Sequence, residues 1–442
     1  MNSAMVWSVR AAGFAVAIGL GISPVGRAQG TNEAQRIDLV TVLRLAGTQN
    51  IEVQIARERL AEAQADHGSA IAQLFPWVAP GIGYRRHDGN LQDVAGNITE
   101  VHKQSYAPGG LVGAQLDLGE AIYKQLATKQ EATAASHGLE AQRQESAAGA
   151  ALAYFDLLAS KSVVEITSES VRLAADYEGQ VQRAVEAGIA FKGEQLRVRV
   201  QRERNQLAWQ RALADARIVS AKLAQTLRLN STVELLPSGS DLVPMPLIRT
   251  NLMRLIAQAL AGRSELKQSG ASTAAARELR RGATYGPLVP TVGALVFWGG
   301  LGGGRGNDWG SLDGQEDYSV SLSWRLGAGG LLDLNRQRAA QARLNRAQLS
   351  NEKLRDEITR QVVEAVTQAE SLAEQLAISQ GTVTTAEQGY RLAQQRKEFG
   401  VGIVLEALQA EQELTRARLD YARSIAEFNK AQYALLRAVG GL

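Results

Sequence analysis

The sequence predicts an α+β membrane protein in which four short strands per chain enter a shared β-barrel and very long helices continue it to one side. Three observations carry this expectation. Two stretches without proline, 128 residues between Pro108 and Pro237 and 152 residues after Pro290, are rich in the strong helix formers Ala, Leu, Glu, Gln and Arg. At the head of each lie segments with strand character, clearest where Tyr318, Val320, Leu322, Trp324 and Leu326 alternate with Ser319, Ser321, Ser323 and Arg325. The whole succession of features also occurs twice along the chain, at a shift of about 212–214 residues.

The chain opens with a segment outside this pattern. After Arg10, Ala11 to Ile22 is an apolar run of 12 residues, too short for the ~20 needed to span a bilayer. Pro24 and Gly26-Arg27-Ala28 follow, so residues 1–28 read as a secretory signal peptide with small residues ahead of a cleavage point after Ala28. No later segment approaches 18 uninterrupted apolar residues, so an exported chain is expected to be soluble or to insert as β-structure.

Composition narrows the function classes. With no cysteine, a disulfide framework, a thiolate metal site, a cysteine nucleophile and a lipid-modified N-terminal cysteine are excluded. Lys+Arg 48 against Asp+Glu 45 gives +3, about +1 after removal of the signal, which does not suit a nucleic-acid binder. No G-x-S-x-G elbow and no H-E-x-x-H motif occur. Gly299 to Arg305 lacks the Lys-Ser/Thr of a phosphate loop and reads as a flexible surface loop. His87 and His102 flank a polar loop, where a solvated role is favoured over a shared metal. A non-enzyme without cofactor or metal is expected.

The repeat sets the domain boundaries. Leu74-Phe75-Pro76 aligns with Leu288-Val289-Pro290, Ala187-Gly188-Ile189 with Phe399-Gly400-Val401, and Glu194 with Glu406. The first repeat spans 29–230, with strands at 77–87 and 109–118, and the second spans 251–442, with strands at 288–299 and 316–327. Residues 231–250, with Pro237, Pro244 and Pro246, read as a linker. Gly119 to Ala187 and Leu331 to Phe399 are each 69 residues, about 100 Å of helix. The return helices, about 190–229 and 403–439, reach only ~60 Å. The helices ahead of the strands, about 33–73 and 250–284, have the length to fill the gap by stacking on them end to end. Val362, Val366, Ala369, Ala373 and Leu376 mark one packing seam, and Leu414, Tyr421, Phe428 and Leu435 a second. Val200, Leu207, Ala214 and Ala221 suggest a third. Seven-residue spacing favours left-handed coiled-coil packing.

About nine alternating residues match the length of a membrane strand, and Trp77, Trp298, Trp309 and Trp324 fall in or beside the strands, as in an interfacial aromatic girdle. The alternative is a soluble four-stranded sheet. Four strands cannot close a barrel, and lipid does not tolerate an open edge, so membrane strands here require several chains; three give twelve strands. The helices then leave on one side, the polar loops 88–105 and 299–316 face the other, and the breaks at Gly188 and Gly400 fall at the far helical tips.

In order and spacing these features resemble the TolC-like outer membrane efflux proteins over essentially the whole mature length. The residues that carry the resemblance are Ala187-Gly188-Ile189-Ala190, Phe399-Gly400-Val401-Gly402, Glu406-Ala407-Leu408-Gln409-Ala410, and Leu322-Ser323-Trp324-Arg325-Leu326 followed by Gly329-Gly330. The resemblance implies a homotrimer with a 12-stranded outer-membrane β-barrel and a periplasmic α-helical coiled-coil tunnel, set in outer-membrane lipid. It implies the exit duct of a tripartite efflux or type I secretion system, docked to an inner-membrane pump through a periplasmic adaptor. Gly188, Ile189, Gly400 and Val401 match the family's adaptor-contacting tips; as residues alone, the glycines also suit helix ends. The family narrows its tunnel with acidic residues on the last helix. Glu406 matches the first such position, Gln409 stands where a second acid is common, and Glu194 is the first-half equivalent of Glu406. A helix-start carboxylate favoured by the dipole is the plainer reading of both glutamates. A periplasm-spanning coiled-coil spacer or adaptor is the alternative function, and duplication of the whole strand–helix unit argues against it.

Overall fold

The computed structural model describes residues 34–239, 242–248, 251–306, 309–310, 312–398 and 403–441. The expected signal peptide and the second tip, Gly400 and Val401, lie outside the described residues. In chain order the elements are β1 (Gln35–Ile37), α1 (Leu39–Gln49), α2 (Ile51–Ala72), β2 (Trp77–Gln92), β3 (Ile98–Leu116), α3 (Leu118–Glu186), α4 (Lys192–Thr226), β4 (Leu235–Pro237), α5 (Leu252–Gly262), α6 (Ser264–Tyr285), β5 (Thr291–Arg305), β6 (Asp313–Ser323), α7 (Leu334–Glu398) and α8 (Val404–Ala438). A 3-10 turn at Gly286–Leu288 precedes β5.

The two halves use helices of matching length. α1 and α5 have 11 residues each, α2 and α6 have 22, and α4 and α8 have 35. α3 and α7, at 69 and 65 residues, are each about 100 Å long. A 35-residue return helix spans only ~53 Å, so each long helix needs a second partner. The junctions show how it is supplied. Asn50, the N-cap of α2, donates from Nδ2 to the carbonyl of Thr226, the last residue of α4, at 3.1 Å. At the equivalent place in the second half, Gly440 lies against Arg263, the N-cap of α6. Each short helix thus continues the line of a return helix.

Two apolar cores lie at these junctions. The first gathers Leu157, Leu158, Tyr154 and Phe155 of α3 with Val42, Leu223, Leu227 and Leu235. α3 is the one helix among the described residues long and apolar enough to cross a membrane by length and composition, and Ala150, Ala151, Tyr154, Phe155 and Leu157 within it are core residues. The second gathers Leu255, Leu266, Ile358, Val362 and Leu435. Truncating a fully buried leucine such as Leu157 to alanine costs about 2–5 kcal/mol.

Polar side chains join the cores. Residues 231–250 are more than a linker: Leu235–Pro237 pairs in parallel with Gln35–Ile37. Further on, buried Asn429 accepts from the Met245 N–H at 2.8 Å and donates to the Val243 carbonyl at 2.9 Å, while Gln432 accepts from the Ile248 N–H at 3.1 Å. Two amides of α8 thereby replace the strand that this segment lacks. Beside them, Glu265 takes a bidentate pair from Arg263 at 3.3 and 2.9 Å and a bond from Arg437. Arg437 also reaches Glu145 of α3 at 2.9 Å, and Arg263 reaches Gln361 of α7 at 2.6 Å.

The seams are mostly where the apolar spacing puts them. Val362, Ala369, Leu414, Phe428 and Leu435 are buried. The exception is α4: Val200 and Leu207 are exposed, and the buried line is Val198, Asn205, Ala212. That line also has a seven-residue period, but a polar residue occupies its middle.

The strands form one antiparallel sheet in the order β2-β3-β5-β6. Alternation and register place Val78, Ile82, Tyr84, Val112, Val296, Trp298, Tyr318, Val320, Leu322 and Trp324 toward one face. The other face carries Ser105, Gly109, Gly113, Gln115, Ser319 and Ser321, with Leu111, Leu295 and Phe297 among them. Trp77 is on this second face, stacked over Gly113, so it does not join the other tryptophans. Trp309 does, through Tyr84 and Tyr106, with ring centroids 5.9 and 5.6 Å away.

The strands run beyond the expected loops. β2 and β3 pair out to Gln92 and Ile98, leaving a turn at 93–97 where the Asp93 carboxylate accepts from the Asn97 N–H at 2.8 Å. Gly299–Gly304 is β-strand rather than loop. Its glycines leave room for neighbouring rings: a Cβ on Gly302 would lie 2.4 Å from the Tyr106 ring. His87 and His102 occupy alternate faces of this hairpin. His102 instead pairs with Asp88 at 3.0 Å, so the two histidines do not share a site.

The ion cluster at the junction of α6 and α8 gives a pH-dependent prediction. Burial alone would raise the Glu265 carboxyl, but the hydrogen bonds from Arg263 and Arg437 outweigh it and hold the group at about 2. A value below the unfolded 4.5 means that its stabilisation is complete above pH ~4.5 and is lost as pH falls toward 2. Glu265→Gln leaves Arg263 without its carboxylate and is expected to cost roughly 3 kcal/mol at neutral pH. Thermal unfolding of the detergent-solubilised protein should show a lowered Tm at pH 7, and the gap to wild type should close as the buffer is taken below pH 4.

Candidate functional site

The candidate site is the end of the two helical hairpins farthest from the sheet. α3 stops because Gly188 takes a left-handed conformation, φ +72°, which lets the chain turn back on itself. The Ile189 N–H bonds the Ala184 carbonyl at 2.8 Å and the Gly188 N–H bonds that of Val185 at 3.0 Å, a Schellman ending. A Cβ on Gly188 would meet nothing within 4 Å, so the requirement is conformational rather than steric. The turn then presents Ile189 and Phe191 to solvent, 81% and 83% exposed. Two large apolar side chains projecting from one turn do not serve the chain's own core.

Glu194 has a definite local task. Its carboxylate accepts from the Phe191 N–H at 3.3 Å, satisfying one of the free donors at the start of α4 and lying where the helix dipole favours a negative charge. Glu406 stands in the first turn of α8 but does not close back on its own helix. It pairs with Arg396, in the last turn of α7, at 3.4 Å, and its side chain remains 41% exposed. Gln409, one turn on, is exposed.

Below the Gly188 turn the two hairpins are pinned together. Leu408 of α8 packs with Val181 of α3 and Val198 of α4, flanked by Tyr177, Val185 and Val404. Tyr177 donates from its hydroxyl to the Val404 carbonyl at 3.4 Å. Burial pushes that phenol up to about 12, so it stays a donor across the physiological range. The Lys397 ammonium sits 3.7 Å above the Tyr177 ring and bonds Gln180 at 3.0 Å. A buried polar group follows one turn deeper. Asn205 of α4 donates to the Ser170 carbonyl of α3 at 3.1 Å and to the Glu411 carboxylate of α8 at 3.3 Å, and accepts from Gln201 at 2.8 Å.

The structure therefore brings Gly188, Ile189 and Glu194 of the first hairpin to the same end as Glu406 and Gln409 of the second. Arg396, Tyr177, Lys397, Asn205 and Glu411 escaped the reading of the sequence. Of these, only the paired basic residues Arg396-Lys397 just before the Gly break left a visible trace, as cations in the last turn of a helix. Among the described residues no cluster of three His, Asp or Glu is placed to hold a metal.

Similarity to known proteins agrees with this architecture. Residues 255–441 match the family described as outer membrane efflux protein. The fold is similar to that of the outer-membrane channel OprN, with a TM-score of 0.76 and 20% identity over 91% of this chain and 90% of that one. It is similar to the CmeC outer membrane channel of Campylobacter jejuni, with a TM-score of 0.75 and 15% identity over 99% and 94% of the two chains. The MtrE outer membrane channel of Neisseria gonorrhoeae, in its open state, gives 0.73 and 16% over 91% and 89%. No curated protein matches the chain by sequence. The family match thus covers the second half of the chain, and over its whole length the fold is that of these outer-membrane channels.

Proposed function

We propose that three copies of the chain form the outer-membrane exit duct of a tripartite efflux or type I secretion system. The observation that carries this reading is the sheet. It has four strands, two unpaired edges and one face of exposed Val78, Ile82, Tyr318, Val320 and Leu322. Such a face suits lipid, and such edges do not. Three sheets joined edge to edge close a 12-stranded barrel, with the serine- and glycine-bearing face lining the bore. Trp298, Tyr318 and Trp309 then mark the outer interface and Trp324 the periplasmic one. Helices about 100 Å long carry the bore across the periplasm. Membrane fractionation and crosslinking should recover an outer-membrane trimer; a monomer soluble without detergent would overturn the reading.

The hairpin tips are the surface for a periplasmic adaptor, which connects the duct to an inner-membrane pump. The exposed Ile189 and Phe191 supply apolar anchors there, beside the left-handed Gly188. By the repeat, Gly400 and Val401 serve the same purpose on the second hairpin. Gly188→Trp and Gly400→Trp are expected to abolish export in cells while trimer yield and membrane level stay at wild type. Full export by both variants would remove the docking role.

Glu406 forms a single acidic ring at the tunnel mouth, its field partly offset by the Arg396 guanidinium of the same chain. An exposed pair of this kind contributes about 0–1 kcal/mol, so its effect is on charge rather than stability. Glu406→Gln should weaken cation preference in planar-bilayer recordings, and Arg396→Ala should strengthen it. Unchanged selectivity in both would place Glu406 away from the bore.

A further inference from the structure

Near the tips, α3, α7 and α8 enclose a cleft of about 340 Å³. Its volume falls within the range of about 300–1,000 Å³ usual for small-molecule sites. Tyr177 and Tyr390 line it together with apolar Leu173, Ala174 and Leu408. Glu411 also lines it and is only 6% exposed.

Glu411 is poorly provided for. One carboxylate oxygen, Oε1, accepts from Asn205 Nδ2 at 3.3 Å and lies 3.5 Å from Thr415 Oγ1. The other, Oε2, is buried and has no partner. None of the ion pairs among the described residues includes Glu411. Burial pushes its carboxyl up, and the two hydrogen bonds oppose that only in part. Buried carboxylates ordinarily have a cation beside them, and this one does not. The chain's own cation in the cleft, Lys397, is engaged with the Tyr177 ring and with Gln180. Asp176 adds a second carboxylate to the lining, so with Glu411 ionised the carboxylates outnumber the ammonium two to one.

We propose that this cleft binds an organic cation, an ammonium or guanidinium group on an apolar body, with the charged head on Glu411 and the body against the tyrosines and Leu408. The walls suit such a molecule rather than a metal ion, because two carboxylates and two phenols do not make a coordination shell, whereas aromatic faces and a buried anion together hold a weakly hydrated cation. The cleft draws α3 from the first hairpin and α7 and α8 from the second. An occupant therefore ties the two hairpins together and stabilises the arrangement seen here by mass action. The inference rests on this geometry and does not require the duct to conduct.

The test is calorimetric titration of benzyltrimethylammonium chloride into the full-length, detergent-purified protein at pH 7.5, with the oligomeric state of the same sample scored separately. One saturable site per chain is expected. Glu411→Gln keeps the size and the Asn205 contact while removing the charge, and should weaken binding at least tenfold. Tyr390→Leu should weaken it severalfold, and Glu406→Gln should leave it unchanged. No saturable binding to wild type, or equal affinity in Glu411→Gln, would overturn the proposal. So would loss of binding in Glu406→Gln alone, which would assign the cation to the tunnel mouth. A sample that binds but is not a trimer counts against the duct and not against the cleft.

Discussion

The unpaired edges of β2 and β6 govern the rest of the molecule. A backbone N–H or C=O left bare in hydrocarbon costs several kcal/mol, and each edge offers a row of them. Side chains cannot repair this, because the strands are already apolar on the face that would meet lipid. Only more strands can, and among the described residues none of useful length remains: β1 and β4 have three residues each and pair with one another far along the chain from the sheet. Closure has to come from further copies. The helices inherit that requirement, since each strand pair is entered from one helix and left by another. Gly119 and Gly286 show how tight the passage is, for a Cβ on Gly119 would stand 2.1 Å from the Gly286 carbonyl oxygen.

Helix length is the second consequence. A 69-residue helix with a 35-residue partner leaves half its surface without a neighbour. The chain solves this by abutting α2 on α4 and α6 on α8, and the joints between stacked helices are the places where backbone groups would otherwise be orphaned. The bond from Asn50 to Thr226 and the arrangement around Arg263 and Glu265 answer that need. Their polar character is a result of position: a helix end buried under a second helix end needs donors and acceptors, where leucine would leave both unsatisfied.

Much of this was legible in the sequence, and the parts that were not share a cause. Leu414, Phe428 and Leu435 announced the α8 seam because the seam is apolar. The α4 seam was misplaced by two residues because Asn205 sits in it, and periodicity counts only apolar positions. The glycine run 299–304 looked like a loop because strand glycines are recognised only by the rings that cover them, here Phe297 and Tyr106. The tip turn at Gly188 was visible, since few residues adopt its backbone angles. The partner of Glu406 was not: Arg396 lies on the preceding helix, and the sequence does not specify which faces of α7 and α8 meet. The same holds for Asn429 and Gln432, whose partners are backbone groups in a distant segment.

Glu406 and Glu411, five residues apart on one helix, show how surroundings separate two carboxylates. Glu406 is half exposed and matched by Arg396. Around a threefold axis, three such groups at ~6 Å and an effective dielectric near 20 would repel by roughly 3 kcal/mol per pair before screening. Arg396 would offset part of that within each chain, and with Gln409 no second acidic ring would add to it. What holds the hairpins in place then lies deeper, at the apolar contact of Leu408 with Val181 and Val198 and the bonds of Asn205 to Ser170 and Glu411. There a charge cannot be screened by water, so the protonation or pairing of Glu411 weighs more on the joint than the fully hydrated charge of any surface residue. Any movement that parts the two hairpins has to break this joint.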